Sequence, residues 1–225
     1  MTFNKGTCNI IDLYHGNTVE DWDNLLPGIE AIIYKATDGL TWYDANCQNV
    51  KQQAVDHGLM WGFYHYSQND DGTLQAEHFL SKAKPSETDL VGIDVEEKST
   101  HIHYDDLCAF VEKIHAELGR YPVVYGSTGG YLKTVTSGHA AGDTILTQCP
   151  LWIARYGAYP EPDDLPDPWH FWTLWQYAVQ NKVNDVPPMI TTPGMPSARL
   201  DCIDSGMFDT FNVTDKPLKD FWPNI

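Results

Sequence analysis

The chain has 225 residues, long enough for one large domain with a substantial core, and no repeat, low-complexity tract or Ser/Gly linker divides it. Its formal net charge of -17, with 31 acids against 14 Lys and Arg, argues against a nucleic-acid partner, because phosphate binding depends on clustered cations. No apolar run approaches the ~20 residues of a membrane span, so we expect no membrane partner. The composition predicts one soluble, monomeric domain over residues 1–225, compatible with a neutral polymer such as a glycan.

The first residues and the cysteines bear on the compartment. Residues 1–6 lack the apolar segment of a secretory signal, so we expect a protein that stays in the cytoplasm or is exported by another route. The cysteines are odd in number, widely spaced and without a C-x-x-C pair, which predicts reduced, mostly buried thiols and no disulfide framework, zinc site or cofactor. They are Cys8, Cys47, Cys108, Cys149 and Cys202.

Hydrophobic patterning and turn residues divide the chain into short strands and helices. Helices are predicted at 46–57, 73–84 and 107–118, the last from an i, i+3, i+4, i+7, i+11 apolar spacing that ends at a glycine, and a shorter one is expected within 129–135. Beyond residue 156 a Pro- and Asp-rich loop breaks the alternation. The predicted strands cover 8–13, 31–35, 60–66, 90–97, 122–125, 151–156, 171–177 and 199–202.

About eight strands result, the first five or so separated by helices and the last three by loops. Repeated β-helix-β units predict a parallel sheet, and this number of strands suggests an irregular, TIM-like α/β barrel. In such barrels the chemistry lies at the carboxyl ends of the strands. The polar residues predicted near those ends are Asp12, Asp94, Glu96, Tyr125, Tyr156, Gln176 and Asp201.

The fourth predicted strand ends in acids that an ordinary core strand would not carry. In an extended strand the side chains alternate faces, so Asp94 and Glu96 point to one side while Ile93 and Val95 point to the other. Two carboxylates so close do not both ionise easily, so one can hold a proton near neutral pH while the other stays charged. Such a pair suits the hydrolysis of an acetal. The alternative interpretation is a strand end that has simply reached solvent.

Seven short segments stand in a characteristic order and spacing. They are ID at 11–12, IIYKATDG at 32–39, GFYHY at 62–66, GIDVE at 92–96, LWIARY at 151–156, LWQY at 174–177 and LD at 200–201. As an ordered set that covers nearly the whole chain, they resemble the family 25 glycoside hydrolases, the muramidases called Chalaropsis-type lysozymes. The resemblance implies an irregular (β/α)5(β)3 barrel and a single catalytic domain, and we expect no separate wall-binding domain.

The resemblance also implies an activity and a division of roles. The expected reaction is cleavage of the β-1,4 bond between N-acetylmuramic acid and N-acetylglucosamine in peptidoglycan glycan strands. Glu96 matches the general acid and Asp94 its partner carboxylate. Asp12 and Asp201 match two outer acids whose charge could keep Glu96 protonated. Substrate contacts are assigned to Tyr64, Lys35, Tyr125, Tyr156, Trp175 and Gln176.

The family resemblance favours a substrate-assisted route, in which the 2-acetamido group attacks the anomeric carbon and Asp94 stabilises the charge that develops on its nitrogen. Two departures from the family pattern stand out. Asp38 occupies a position where many relatives have Glu, and the segment at 201–204 differs from the usual Asp-x-Asn. The source stays open between a phage lysin released from the host cytoplasm by a holin, a virion-borne or extracellular enzyme, and a bacterial autolysin, each acting on the cell wall.

Other chemistries fit the sequence less well. His101 and His103 invite a metal site, but they lie just before a helix, and hydrolytic metals need three or four converging ligands. No G-x-S-x-G elbow is present for a Ser nucleophile. A non-catalytic wall-glycan-binding module would suit the eight Trp and 12 Tyr, but it has no need of the acid pair. A chitinase-like barrel would need an acid at the position held by Gly92.

Overall fold

The computed structural model describes residues 10–23, 25, 29–96, 101–139, 144–180, 206–211 and 218–224. The strands within these ranges are β1 (Ile10–Leu13), β2 (Ala31–Asp38), β3 (Trp42–Tyr43), β4 (Met60–Tyr66), β5 (Leu90–Asp94), β6 (Val123–Ser127), β7 (Leu151–Ala154), β8 (Leu174–Gln180) and β9 (Gly206–Phe211). The α-helices are α1 (Cys47–Asp56), α2 (Gly72–Ala83), α3 (Tyr104–Leu118) and α4 (Tyr131–Val135). Short 3-10 helices cover Ile145–Gln148, Pro162–Asp164 and Leu218–Asp220.

These strands belong to one sheet that curls back on itself. Neighbours run parallel in the order β1, β2, β4, β5, β6, β7 and β8. β9 runs antiparallel to both β8 and β1, and β3 adds an antiparallel pair to the end of β2. The chain is therefore an α/β domain on a curled, mostly parallel sheet, and the carboxyl ends of the parallel strands meet at one end of it.

The predicted elements match the structure best where strands and helices alternate. β4 covers the predicted 60–66, and α1, α2 and α3 lie within a residue or a few of their predicted bounds. The described residues between β1 and β2 form no helix, which departs from the expected alternation. The predicted strand at 199–202 lies outside the described residues, and the strand found after β8 is β9.

Local signals set the ends of the two helices that pack over the middle of the sheet. The Asp71 side chain caps α2 by accepting a hydrogen bond from the Leu74 backbone N at 2.9 Å. α3 ends at Gly119, whose φ of 68° lies in the left-handed region that glycine adopts without strain. The residues that α3 buries are Leu107, Phe110, Val111 and Ile114, as the apolar spacing predicts.

Alternation along the strands builds two buried layers. On β4, Trp61 and Phe63 join the layer between the sheet and the helices, whereas Tyr64 joins the layer inside the curl. His65 also lies on the face toward the helices, since its ring stacks on Phe110 of α3 with centroids 5.2 Å apart. Side chains that face the inner layer near the carboxyl ends of the strands are therefore placed to line a site.

The last described segment closes the opposite end of the curl. Leu218 belongs to the inner layer, with Phe221 and Trp222 packed against it, and Trp222 Nε1 donates to the backbone O of Trp61 at 3.1 Å. The inner-layer residues that begin their strands are Ile10, Ala31, Leu90, Val123 and Leu174. The segment 218–222 thus covers the amino ends of the strands, which we call the closed end; the carboxyl ends form the open end.

The described cysteines are free thiols. Cys47 and Cys149 are buried free thiols and Cys108 is a half-buried one, while Cys8 and Cys202 lie outside the described residues. Burial raises the pKa of the Cys149 thiol, which makes it a poor nucleophile. Among the described residues no helix combines the length and apolar character needed to cross a membrane.

Candidate active site

The open end of the sheet holds a cavity of about 170 Å³. Its lining comes from β1, β2, β4, β5, β6, β7 and β8, or from the residues that directly follow them, so the parallel arrangement brings distant parts of the chain together. Most of the residues predicted for the site meet here. The lining residues are Asp12, Tyr14, Lys35, Tyr64, Tyr66, Asp94, Glu96, Tyr125, Trp152 and Gln176.

The acid pair lies at the end of β5, with one correction to the prediction. The strand ends at Asp94, so Glu96 belongs to the segment after it and not to the strand itself. The chain stays beside β6, because Val95 N donates to Tyr125 O at 3.0 Å, and both acids still line the cavity. Asp94 is buried and Glu96 is exposed, so the two carboxyls meet the cavity from different environments.

Asp94 is the most constrained acid of the site. It is 5% exposed, and its Oδ1 has no hydrogen-bond partner among the described residues. Burial raises the pKa of Asp94 well above its usual range, Glu96 and Asp12 push it the same way, and Lys35 opposes them. Asp94 therefore favours its protonated form, whereas we predicted from the sequence that Glu96 holds the proton. A buried acceptor without a partner is also a ready hydrogen-bond site for a bound molecule.

Gln176 connects the two sides of the cavity. Its Nε2 donates to Asp12 Oδ2 at 2.9 Å, and its Oε1 accepts hydrogen bonds from Tyr125 Oη at 3.0 Å and from Tyr156 Oη. With 1% of its surface exposed, Gln176 acts mainly on its neighbours and offers little surface for the substrate contact that we predicted. Tyr156 is 39% exposed and lies at the rim.

Aromatic rings form the floor of the cavity. The Trp152 ring lies 4.6 Å from that of Tyr125 and 6.2 Å from that of Tyr64, measured between centroids. Burial raises the pKa of both Tyr64 and Tyr125, with nearby carboxylates adding to the effect, so both phenols keep their protons. Tyr125 Oη lies 3.3 Å from Glu96 Oε1. Trp152, Tyr14 and Tyr66 were not predicted for the site, although Tyr66 ends β4 and Tyr14 directly follows β1.

Lys35 brings a positive charge into this acidic cavity. Its Nζ lies 2.7 Å from Asp38 Oδ2 and 4.1 Å from the centroid of the Tyr66 ring. Asp38 in turn accepts a hydrogen bond from Gln68 Nε2 at 2.7 Å. Lys35 is thus held by an ion pair and a ring face, and its charge favours the ionised form of Asp94.

Some candidate residues lie away from the cavity. Trp175 is on the outer face of β8, where it is 1% exposed and its Nε1 donates to Arg155 O at 2.9 Å, so we withdraw it as a substrate contact. His65 is fully buried between Thr37 and Gln75, and burial lowers its pKa to about 4. Asp201 lies outside the described residues.

The histidines before α3 pack against aromatic rings. The His101 ring lies 4.5 Å from that of Tyr131 and 5.6 Å from that of His103, between centroids. Over the ranges that the structure describes, no three His, Cys, Asp or Glu side chains form a group that could hold a metal ion.

The cavity places two carboxyls above aromatic rings, at the carboxyl ends of a curled parallel sheet. This arrangement is typical of a glycoside hydrolase. The model for Glycosyl hydrolases family 25 matches residues 11–186, and the chain belongs to this family. Among proteins of similar sequence are the autolytic lysozyme of Clostridium acetobutylicum, 33% identical over 152 residues, and the N,O-diacetylmuramidase of Arthroderma benhamiae, 26% identical over 165 residues. The matches cover 65% and 67% of this chain, and 44% and 68% of the two relatives.

Solved structures agree on the fold. The bacterial lysozyme from Streptomyces coelicolor superposes with a TM-score of 0.73 at 21% identity, covering 98% of this chain and 99% of that one. The muramidase from Acremonium alcalophilum gives 0.71 at 24% identity, covering 96% and 98%. The match to the clostridial lysozyme spans less than half of that protein's length.

Proposed function

We propose that this protein is a muramidase that cleaves the β-1,4 bond between N-acetylmuramic acid and N-acetylglucosamine in peptidoglycan. The observation that carries the proposal is that Glu96 shares one cavity with the buried Oδ1 of Asp94, which has no hydrogen-bond partner among the described residues. Membership of family 25 and relatives named lysozyme and muramidase support it. We further propose the irregular (β/α)5(β)3 count for the barrel and the bacterial cell wall as its place of action.

The cavity supports a substrate-assisted route. Both wall sugars carry a 2-acetamido group, whose N–H can donate to Asp94 Oδ1 while the sugar lies over the Trp152 and Tyr64 rings. The acetamido carbonyl oxygen then attacks the anomeric carbon, and the bond to the leaving oxygen breaks as Glu96 protonates it. Water, activated by the Glu96 carboxylate, opens the cyclic intermediate and restores the acetamido group. No enzyme nucleophile is needed, and the configuration is retained.

Substrate binding also moves the proton of the acid pair. In the empty cavity burial favours protonated Asp94, but a hydrogen bond from the acetamido N–H favours the ionised carboxylate. Lys35 acts in the same direction. Because two adjacent carboxyls resist double ionisation, the proton then resides on Glu96, where the leaving oxygen needs it. A bound sugar with a 2-acetamido group thus shifts the proton of the pair toward the general acid.

The outer acids have supporting roles in this scheme. Asp12 is 2% exposed and accepts from Gln176, so we propose that it positions the Gln176 amide and adds negative charge behind the acid pair. For Asp201 the proposed role at the rim rests on the family resemblance alone.

Digestion of purified peptidoglycan tests the function directly. The released fragments are reduced with borohydride and analysed by mass spectrometry, and we expect the reduced ends to be muramic acid. A Glu96→Gln variant serves as the matched control, since it should bind the wall and release nothing. Reduced N-acetylglucosamine ends, or free peptide amino groups without new sugar ends, would rule the proposal out.

A further inference from the structure

The buried amide of Gln176 has a defined orientation. An ionised Asp12 can only accept hydrogen bonds, so the amide turns its Nε2 toward Asp12 and its Oε1 toward the hydroxyls of Tyr125 and Tyr156. The opposite orientation would place two acceptors face to face. Because Gln176 is 1% exposed, water competes little for these contacts.

This orientation decides where the Tyr125 proton lies. Tyr125 has one hydroxyl proton and two neighbouring acceptors, Gln176 Oε1 at 3.0 Å and Glu96 Oε1 at 3.3 Å. The proton points along the shorter contact, which leaves the lone pairs of Tyr125 directed at Glu96. A hydrogen bond between Tyr125 and Glu96 then requires a proton on Glu96. If Glu96 were ionised, its carboxylate oxygen would face the lone pairs of Tyr125 with no proton between them.

We propose that Gln176 is a positioning residue that acts through Tyr125 to select the protonated form of Glu96, an inference that rests on the muramidase function proposed above. Once Glu96 has given its proton to the leaving oxygen, the Tyr125 hydroxyl turns about a single bond and donates to the Glu96 carboxylate. The same pair of residues therefore serves the acid step and the base step, and Gln176 favours the protonated state of Glu96 that the acid step needs.

Other charged groups around Glu96 act independently of this arrangement. Negative charge on Asp94 or Asp12 also favours protonated Glu96, and positive charge on Lys35 disfavours it. Tyr125 cannot take the proton away, because burial and the nearby carboxylates keep it a neutral phenol. Among the described residues, the titratable or charged groups that face this region are Asp12, Tyr14, Lys35, Asp38, Tyr64, Tyr66, Asp94, Tyr125 and Tyr156.

The direction of a pH shift tests the inference. In Tyr125→Phe the ring keeps its packing on Trp152 but the acceptor is lost, so the basic limb of the kcat/KM profile on soluble peptidoglycan fragments should move to lower pH. We expect a shift of roughly half to one pH unit, the size of one hydrogen bond. Gln176→Leu should move the limb the same way, because the freed Tyr125 proton then stabilises ionised Glu96. If Gln176→Leu does not fold, Tyr125→Phe decides alone.

Matched controls separate this effect from others. Tyr34→Phe removes another hydroxyl that donates to a carboxylate, Asp44 at 2.7 Å, outside the cavity, and should keep the wild-type limb. A dinitrophenyl glycoside of the N-acetylglucosamine–N-acetylmuramic acid disaccharide needs no acid, so the basic limb that reports protonated Glu96 should be absent on this substrate for both wild type and Tyr125→Phe. An unmoved limb, or one that moves to higher pH, would overturn the inference while leaving the muramidase assignment intact. The peptidoglycan digestion described above tests that assignment separately.

Discussion

The two ends of the curled sheet differ in how their interior is filled. At the closed end Leu218 is buried, and the polar atom of the Trp222 side chain, Nε1, donates to the backbone oxygen of Trp61. At the open end Asp12 and Asp94 are 2% and 5% exposed, and Asp94 Oδ1 has no partner among the described residues. Apolar filling stabilises the fold, whereas a buried carboxyl without a partner destabilises it. We infer that the closed end stabilises the curled sheet. The open end keeps a buried carboxyl that lowers stability, because the proposed reaction uses it.

The largest effect should come from the exposed acid of the open end. Glu96→Gln removes the proposed proton donor and keeps the shape of the side chain, so cleavage of the polymer should fall by roughly 10³-fold or more. The activated dinitrophenyl glycoside should still be cleaved, because its leaving group needs no proton. Rate measurements on both substrates check this. Equal losses on both would break the assignment of Glu96 as the general acid.

Asp94→Asn should separate activity from stability. Turnover should fall by about 10²–10³-fold, because the charge that stabilises the acetamido nitrogen is lost. The pKa of Asp94 is raised in the folded protein, so its contribution to stability is greatest below the ordinary carboxyl range and is lost as pH rises toward the raised value. Thermal unfolding of both proteins across pH should show that the stability of the variant relative to wild type increases as pH rises. A relative stability that decreases with rising pH would contradict the raised pKa of buried Asp94.

The closed end should show the converse behaviour. Leu218→Ala leaves a cavity in the inner layer and should lower the free energy of unfolding by about 2–4 kcal/mol, with kcat unchanged at temperatures where the fold persists. Urea titration and single-temperature kinetics measure the two quantities. Lys219→Ala, on the exposed next residue of the same turn, is the control and should change neither. A loss of kcat in folded Leu218→Ala would show that the two ends are coupled.

The smallest effect should come from Asp12. Asp12→Asn keeps the shape but allows the Gln176 amide to turn over, so we expect a loss of about tenfold in kcat/KM, the value of one hydrogen bond. The fold should survive, as judged by an unchanged circular dichroism spectrum. Asp12→Asn as inactive as Glu96→Gln would mean that Asp12 takes part in the chemistry directly.

Much of this architecture could be predicted because it depends on short-range patterns. The apolar spacing of α3 and the glycine after it identified a helix whose buried face is the predicted one. The parallel arrangement then placed Asp12, Asp94 and Gln176 around one cavity, since the carboxyl ends of parallel strands meet.

The failures have physical causes of their own. Period-two alternation predicted that Asp94 and Glu96 share a strand, but it carries no information on where pairing with neighbouring strands stops, and β5 ends at Asp94. Trp175 and Gln176 are adjacent, so only the register of β8 could show that the amide faces the cavity and the indole does not. The contribution of Leu218 depends on a contact with residues far away in sequence, for which no local signal exists.

The central claim is that Asp94 assists the substrate's own acetamido group and does not attack the sugar itself. Proton NMR of the first-formed product, recorded before mutarotation on a soluble peptidoglycan fragment, tests it most directly. We expect the β anomer at the new muramic acid end, together with no covalent sugar on Asp94 in mass spectra of enzyme quenched during turnover. An α anomer, or a glycosyl adduct on Asp94, would contradict it.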